Sequence, residues 1–446
     1  MKKAALHNLG CKVHAYETEA MQQLLEQAGY EIVPFTEQAD VYVINTCSVT
    51  NMADRKSRQM LHKAKKENPD SIVVAAGCYV QTSSEEAARD LSVDIIIGND
   101  KKHELVELIE NCMNQKKNAN EETEGVDDWK ENICDINEKG RAYEALSISR
   151  TEEHTRAFLK VQDGCNYFCT YCTIPYARGF SRNPSIASLV EQAEQAAAEG
   201  GKEIVLTGVN IGDFGETTNE RFVDLVKALD KVEGIKRYRI SSIEPDLLDD
   251  ELIEYCAHSR AFMPHFHIPL QSGSDEVLRL MHRRYDTALF AHKINLIKKV
   301  MPDAFIGVDV MVGTRGEKPE LFEETYNFLQ SLDVTQLHVF PYSERPGTMA
   351  LKIPYVVSDG DKKLRSKRLL DMSDNKTHAF YERFIGYEAE VLFEKAARGR
   401  AMHGFTKNYI RVELPPSPDN DRLDNQLVKV KLGDFNHDKT ALKALL

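Results

Sequence analysis

The sequence predicts an α/β protein of several domains: an open parallel α/β sheet, a partial (β/α)6 barrel and a small antiparallel β-barrel. Three observations carry this prediction. Over residues 1–113 and again over 145–375, short β-branched runs alternate with helical periodicities, the pattern of parallel strands covered by helices. Over 376–446 the periodicity becomes two, with Gly and Pro between the runs. The length of 446 residues suits about three domains of roughly 150 residues, and a hydrophobic content of 42% is ample for buried cores.

In the first region a strand is predicted at 4–9 and a helix at 16–28, stopped by Gly29. A buried strand at 41–44 runs into Asn45-Thr46-Cys47, a basic amphipathic helix covers 55–66, and a buried strand at 72–76 ends at Gly77-Cys78. Residues 95–97 form a further strand before Gly98. Cys11, Cys47 and Cys78 thus fall just past the carboxyl ends of predicted strands, the edge where open parallel sheets bind ligands. A lone cysteine is more commonly an inert buried thiol; three at equivalent strand ends point to a three-thiolate cluster site.

Residues 114–144 turn polar and charged, with Lys116-Lys117, Glu121-Glu122, Asp127-Asp128 and the single tryptophan, Trp129, and read as a linker. Cys112 and Cys134 lie in no metal-like spacing. After a strand at 158–161 the chain packs three thiols into eight residues, in Gly164-Cys165-Asn166-Tyr167-Phe168-Cys169-Thr170-Tyr171-Cys172-Thr173-Ile174-Pro175-Tyr176. A looped backbone of this spacing aims all three sulfurs at one point. A disulfide uses two sulfurs and strands the third, and structural zinc normally takes four ligands from two short pairs. A 4Fe–4S cluster on three thiolates keeps one iron open for another ligand. Zinc remains the alternative on spacing alone.

A helix at 186–199 and strands at 204–207, 237–240, 265–270, 305–312 and 336–340 complete six βα units, whose site belongs at the carboxyl edge. Four strands are followed by polar or glycine-containing segments: Thr207-Gly208-Val209-Asn210, Ser241-Ser242-Ile243-Glu244-Pro245, Gln271-Ser272-Gly273-Ser274 and Gly313-Thr314. Gly208, Asn210, Ser242, Glu244, Gln271 and Gly313, with Tyr171 of the cysteine loop, are therefore the candidate cofactor-binding residues. Taken singly these are ordinary loops; their convergence on one rim is what counts. His265 and His267 share a strand face, and hydrogen-bonded core or rim histidines are favoured there over a zinc pair.

Lys362-Lys363, Arg365, Lys367-Arg368, Lys376 and Arg383 lie on a predicted helix and form either a solvated face or a phosphate-contacting stripe. In the last region strands are predicted at 409–414 and 427–432. Phe405 and Tyr409, near Lys407 and Arg411, either stack on bases or belong to the core.

A formal net charge of −13 argues against bulk attraction to a polyanion, although local patches reverse such a bias. Nine cysteines in a long chain without a secretory pattern favour metal or catalytic use over disulfides. His7 and Asn8 cut the first apolar run short of a signal peptide, and no stretch is long and apolar enough to span a bilayer. A soluble, cytoplasmic protein is expected. The absence of a Gly-Lys-Ser/Thr phosphate loop argues against a P-loop enzyme.

Leu9-Gly10-Cys11-Lys12-Val13, Asn45-Thr46-Cys47-Ser48-Val49-Thr50, Ala76-Gly77-Cys78 and the loop from Gly164 to Tyr176, together with His267-Ile268-Pro269-Leu270-Gln271-Ser272-Gly273-Ser274, Phe340-Pro341-Tyr342-Ser343 and Arg345-Pro346-Gly347-Thr348, resemble the methylthiotransferases of the radical S-adenosylmethionine (radical SAM) superfamily. The resemblance covers nearly the whole chain, and the C-terminal barrel is similar to the TRAM domain, an RNA-binding module. It implies two 4Fe–4S clusters. One, on Cys165, Cys169 and Cys172, would cleave S-adenosylmethionine to a 5'-deoxyadenosyl radical; the other, on Cys11, Cys47 and Cys78, would carry the sulfur to be methylated by a second S-adenosylmethionine and delivered. All six cysteines are thus candidate catalytic as well as metal-binding residues. A radical suits the task, because the C2–H of an adenine ring is neither acidic nor nucleophilic.

The implied partners are the anticodon arm of tRNA, a cellular electron donor such as a flavodoxin or ferredoxin, and a sulfur donor, with no membrane. The opening motif and the loop continuing through Ala177-Arg178-Gly179 are most similar to the branch acting on N6-threonylcarbamoyladenosine. Isopentenyladenosine of tRNA and an aspartate of a ribosomal protein are the neighbouring substrates, and a non-catalytic metal-containing RNA-binding protein is the reading of a different class. His14 stands where that branch's motif is expected to carry asparagine. Arg178 and Arg182 are candidates for the threonyl carboxylate, which a guanidinium matches bidentately, or are scaffold arginines. If the basic helix meets phosphates, neutralising Lys363 and Arg365 flattens the salt dependence of tRNA binding.

Overall fold

The computed structural model describes residues 1–118, 131–134, 136, 138, 141, 143, 146, 155–397 and 399–445. The linker residues Glu121, Glu122, Asp127, Asp128 and Trp129 lie outside the described residues. The chain forms two compact units: Met1–Ile148 with Gln162–Pro184 and Ser343–Thr348, and Ser149–Val161 with Ser185–Tyr342 and Met349–Leu446.

The first unit is built on a six-stranded parallel sheet of order β2-β1-β3-β4-β5-β6, from β1 (Lys3–Asn8), β2 (Glu31–Ile32), β3 (Val41–Thr46), β4 (Ile72–Gly77), β5 (Ile95–Ile97) and β6 (Glu131–Asn132). β3 and β4 are buried along their whole length, as continuous apolar runs require when helices cover both faces. Two clusters of buried side chains lie within this unit, one including Met21, Leu25 and Ile109 and the other Leu61, Ala64 and Tyr79. The basic helix starts at Asn51, four residues before the sequence periodicity suggests, because Thr50 caps it by accepting from the Ala53 N–H at 3.1 Å.

Within the same unit the cysteine loop is closed by an antiparallel bridge between Asp163 and Arg182. Gly164 holds φ 74°, and a Cβ there would stand 2.0 Å from the Phe180 carbonyl oxygen. Only glycine fits this approach.

The second unit carries two parallel three-stranded sheets: β7 (Arg156–Lys160), β8 (Glu203–Thr207) and β9 (Arg237–Ile240), then β10 (His265–Gln271), β11 (Phe305–Val312) and β12 (Gln336–Pro341). Parallel bridges Tyr238–Phe262 and Ser242–His267 join them, so six strands follow one another in chain order as a partial barrel. β13 (Glu388–Glu394), β14 (Met402–Thr406), β15 (Arg411–Leu414), β16 (Leu427–Phe435) and β17 (Leu442–Leu445) close into a second barrel. Its pairs are antiparallel except β15 with β17, which is parallel. The exception is geometric: five strands cannot alternate direction around a closed ring.

A buried charged seam joins the two barrels. Glu203 accepts from Arg239 Nε at 2.8 Å, and Arg239 also donates to the carbonyls of Thr406 at 2.9 Å and Lys407 at 3.0 Å. Arg237 donates to the carbonyls of Phe405 and Glu390, each at 2.8 Å. Tyr409 stacks on Phe405 with centroids 4.6 Å apart, while Arg239 lies 4.8 Å from the Tyr409 ring and Arg156 5.0 Å from that of Phe405. Phe405 and Tyr409 therefore serve packing at the seam, and the base-stacking role is corrected, because their ring faces already have partners.

Replacing Arg239 by Met is expected to lower stability in urea denaturation by about 3–5 kcal/mol, since buried Glu203 loses its 2.8 Å partner and keeps only Arg237 at 3.9 Å. Arg383→Ala, which breaks the exposed pair with Asp303, is expected to cost about 0–1 kcal/mol. Equal losses for the two variants would contradict the seam.

Candidate metal centres

In the first unit Cys11, Cys47 and Cys78 stand at the carboxyl ends of three neighbouring strands. Cys11 precedes the helix Lys12–Gln27, Cys47 directly follows β3, and Cys78 opens the short helix Cys78–Thr82 after Gly77 turns the chain at φ 102°. The three thiols feel one another's charge. Burial drives Cys47 up to about 11, and the charges on Cys78 and Cys11 add to that rise. Burial also opposes ionisation of Cys78, but Arg178, His14 and Lys102 outweigh it and hold the thiol at about 6. Desolvation likewise opposes ionisation of Cys11, which His14 and Arg178 bring to about 7.

His14 is only 1% exposed, with Nδ1 3.4 Å from Cys11 Sγ. Burial would lower its pKa, yet the thiols of Cys78 and Cys11 raise it to about 9. The ring explains Gly10, where a Cβ would stand 2.3 Å from His14 Nδ1.

The cations beside these thiols come from an ion network shared with the cysteine loop. Glu17 accepts from Arg178 Nη1 at 2.8 Å, from Arg178 Nη2 at 3.0 Å and from Lys102 Nζ at 2.5 Å. Arg178 also reaches Asp163 at 3.0 and 3.1 Å. Arg182 pairs with Asp100 at 2.5 Å and donates to the Arg178 carbonyl at 2.7 Å. Both arginines are thus scaffold residues. Their assignment to a substrate carboxylate is corrected, because their guanidinium groups are buried and already committed to Glu17, Asp163 and Asp100.

In the loop, the Tyr167 N–H points to Cys165 Sγ at 3.5 Å and the Ile174 N–H to Cys172 Sγ at 3.4 Å. The Cys172 N–H donates to the Cys169 carbonyl at 3.0 Å, which tightens the turn between the last two cysteines. Among the described residues no three His, Cys, Asp or Glu side chains converge on one metal ion. Thiolates of a four-iron cluster bind different irons and need not converge in that way. Three soft donors with N–H groups aimed at sulfur in the loop, and three with buried cations beside them at the strand ends, fit such a cluster.

In the second unit Gly208 and Asn210 follow β8, Ser242 and Glu244 follow β9, Gln271 ends β10 and Gly313 follows β11, so the structure brings these candidates to one edge of the partial barrel. Glu244 is ion-paired with Arg283. Burial raises it to about 7 against the pull of Arg283, with Asp246, Asp309 and Asp213 adding to the rise. Gly313 holds φ 75° and donates its N–H to Glu317 at 2.6 Å; a Cβ there would meet Lys362 Cγ at 2.3 Å. Tyr171 is half-buried in the loop. His267 Nε2 lies 2.6 Å from Asp309 and His265 packs 4.2 Å from the Tyr409 ring, as hydrogen-bonded and core histidines.

The basic helix spans Asp359–Glu382. Arg365 is 6% exposed and bonds Glu317 at 2.6 Å, Arg368 pairs with Glu323, Lys376 bonds the Leu332 carbonyl and Arg383 pairs with Asp303. The phosphate-contacting role of Arg365 is corrected for this reason. Among the described residues of the stripe, Lys363 and Lys367 are exposed without an ion pair.

Asn99, Asp100 and Lys102 are site residues that the sequence reading missed. They follow β5 at the same carboxyl edge as the three cysteines, and the strand-end rule extends to them directly. In the metal-free protein, alkylation at pH 7.5 is expected to modify Cys11 well before Cys47, because a thiol near 7 is mostly thiolate there and one near 11 is not. Peptide mass spectrometry showing Cys47 labelled first would contradict these electrostatics.

Residues 3–98 match the family described as Uncharacterized protein family UPF0004, and residues 159–329 match the Radical SAM superfamily. The chain is 41% identical to the threonylcarbamoyladenosine tRNA methylthiotransferase MtaB of Bacillus subtilis, covering 97% of this chain and 94% of that protein. It is 38% identical to the protein of the same name from Aquifex aeolicus, over 92% and 96%. A tRNA-2-methylthio-N(6)-dimethylallyladenosine synthase of Alkaliphilus oremlandii is 30% identical over 100% and 89%. Among solved structures, the radical S-adenosylmethionine methyltransferase TsrM of Kitasatospora setae shares the fold, with a TM-score of 0.59 at 16% identity over 79% of this chain and 77% of that one. With relatives matched over nearly their full length and a radical SAM region over residues 159–329, the chain belongs to the methylthiotransferases of the radical SAM superfamily.

Proposed function

We propose that this enzyme methylthiolates C2 of N6-threonylcarbamoyladenosine beside the anticodon of tRNA, giving 2-methylthio-N6-threonylcarbamoyladenosine. The chemistry is that of the family: tRNA methylthiolation with S-adenosylmethionine and 4Fe–4S clusters. The observation that carries the finer substrate is the higher identity, 41% and 38%, to relatives named for threonylcarbamoyladenosine, against 30% for one named for dimethylallyladenosine.

In this reading Cys165, Cys169 and Cys172 hold one cluster and Cys11, Cys47 and Cys78 the other. When bound, the clusters supply reductive cleavage of S-adenosylmethionine and a seat for the sulfur that is delivered. The chain's own contribution is electrostatic and positional. Arg178, His14 and Lys102 favour the thiolates of Cys11 and Cys78. Cys47, pushed up by burial, loses its proton when it takes up metal. The N–H groups of Tyr167 and Ile174 serve Cys165 and Cys172 in the same way.

Gly208, Asn210, Ser242 and Gln271 at the barrel edge bind the cofactor's ribose, adenine and amino acid groups. Glu244, raised to about 7 by burial and ion-paired with Arg283, offers carboxyl oxygens for hydrogen bonding at that edge. The C-terminal barrel, TRAM-like in its five closed strands, contributes to RNA binding together with Lys363 and Lys367. A flavodoxin or ferredoxin as electron donor and a separate sulfur donor complete the proposed partners.

Mass spectrometry of tRNA nucleosides from a strain lacking this protein is expected to show N6-threonylcarbamoyladenosine without its 2-methylthio form. Persistence of that form, with loss of 2-methylthioisopentenyladenosine instead, would overturn the substrate. Neutralising Lys363 and Lys367 together is expected to reduce the slope of log Kobs against log salt for tRNA binding by about 1 per lysine. An unchanged slope would make both ordinary surface residues.

A further inference from the structure

We propose that Asn99 is a positioning residue for both cysteine triads: the two hydrogens of its side-chain amide hold the Cys78 sulfur and the Ala177 carbonyl, and its donation to sulfur raises the reduction potential of the cluster on Cys11, Cys47 and Cys78. This inference rests on the reading that the triads hold clusters.

Asn99 is 0% exposed and lies two residues beyond β5, at the carboxyl edge that also presents the three cysteines. Its Nδ2 donates to the Ala177 carbonyl at 2.7 Å and lies 3.5 Å from Cys78 Sγ. Ala177 belongs to the short helix Ile174–Arg178, which begins two residues after Cys172. One planar group thus touches a ligand residue of the first triad and the helix that leaves the second.

The orientation of the amide is set by its other end. Oδ1 accepts from Lys102 Nζ at 3.0 Å, and an ammonium has only donors to offer, so the oxygen faces the lysine and the NH2 group faces sulfur and carbonyl. Lys102 is fixed in turn by Glu17, which also holds Arg178. The backbone N–H of Asn99 donates at 3.0 Å to Oε1 of Gln81, a residue of the helix that Cys78 opens. Asn99 is thereby tied on three sides to the element carrying Cys78, to the ion network and to the cysteine loop.

The residue type follows from these contacts. Asp in the same place would turn a second acceptor toward a thiolate and a carbonyl, and Ala would leave both without their donor. Hydrogen bonds to cluster sulfurs favour the reduced, more negative state, so their loss lowers the potential.

The test uses the full-length chain with Cys165, Cys169 and Cys172 replaced by Ala, reconstituted anaerobically so that only the other triad is loaded. Asn99→Asp and Asn99→Ala are each introduced into this parent, and midpoint potentials are read by EPR-monitored redox titration. Both variants are expected to titrate at lower potential than the parent, Asn99→Asp lowest. Asn99→Ala adds no charge, so a folding defect in the Asp variant alone does not decide the matter. Variants that keep the parent's iron content and its midpoint potential would overturn the role of Asn99. A parent that takes up no iron would instead overturn the cluster reading beneath it.

Discussion

Everything at the candidate metal centres depends on the buried guanidinium of Arg178. It sits between Glu17, on the helix that follows Cys11, and Asp163, at the entrance of the Cys165–Cys172 loop. Taking such charges out of water is costly, and the cost is offset only where geometry and hydrogen bonding are nearly complete. Here Arg178, Arg182, Lys102 and Arg141 face Glu17, Asp163 and Asp100. Of these cations, Arg178 and Lys102 act on thiols that must become anionic. A 4Fe–4S core on three thiolates is itself net negative in its oxidised state, so these two cations have the sign such a group needs.

The same network fixes backbone as well as charge. Arg182 bridges to Asp163 in the backbone and bonds the Arg178 carbonyl with its side chain, which closes the loop on itself. Gly164 and Gly179 turn at positive φ where a Cβ would collide with the carbonyls of Phe180 and Ile136. The loop is therefore rigid where its cysteines need common aim. In the second unit, by contrast, the candidate cofactor residues stand on strand ends whose positions follow from the six consecutive parallel strands alone. The buried Glu203, Arg237 and Arg239 seam then anchors the C-terminal barrel to that frame.

Much of this was legible in the sequence, because period and punctuation are local. Continuous apolar runs announced β3, β4 and β5, the six βα repeats announced the partial barrel, and the cysteine spacing announced a soft three-donor set. The parallel pair β15–β17 was not legible, since it arises from the number of strands in a closed ring rather than from any strand's own pattern. Partners in space were not legible either. Arg178 and Arg182 read as carboxylate ligands or scaffold arginines, Arg365 as part of a phosphate-contacting stripe or a solvated face, and Tyr409 as a stacking platform or a core residue; what decides each is a partner distant in the chain. Charge in a sequence shows where a cation is and not which carboxylate holds it. Asn99 and Lys102 escaped for a related reason: β5 is only three residues long, and the rule applied to longer strands was not carried to its end.

The central claim is that six cysteines form two separate three-thiolate cluster sites within one compact unit. Mössbauer spectroscopy of protein reconstituted with 57Fe tests it directly, comparing the intact chain with the triple alanine variants of Cys11, Cys47 and Cys78 and of Cys165, Cys169 and Cys172. The account predicts about eight irons per intact chain, about four in each variant, and 4Fe–4S signatures in all three. Loss of all iron in either variant, or mononuclear iron in the intact chain, would contradict it.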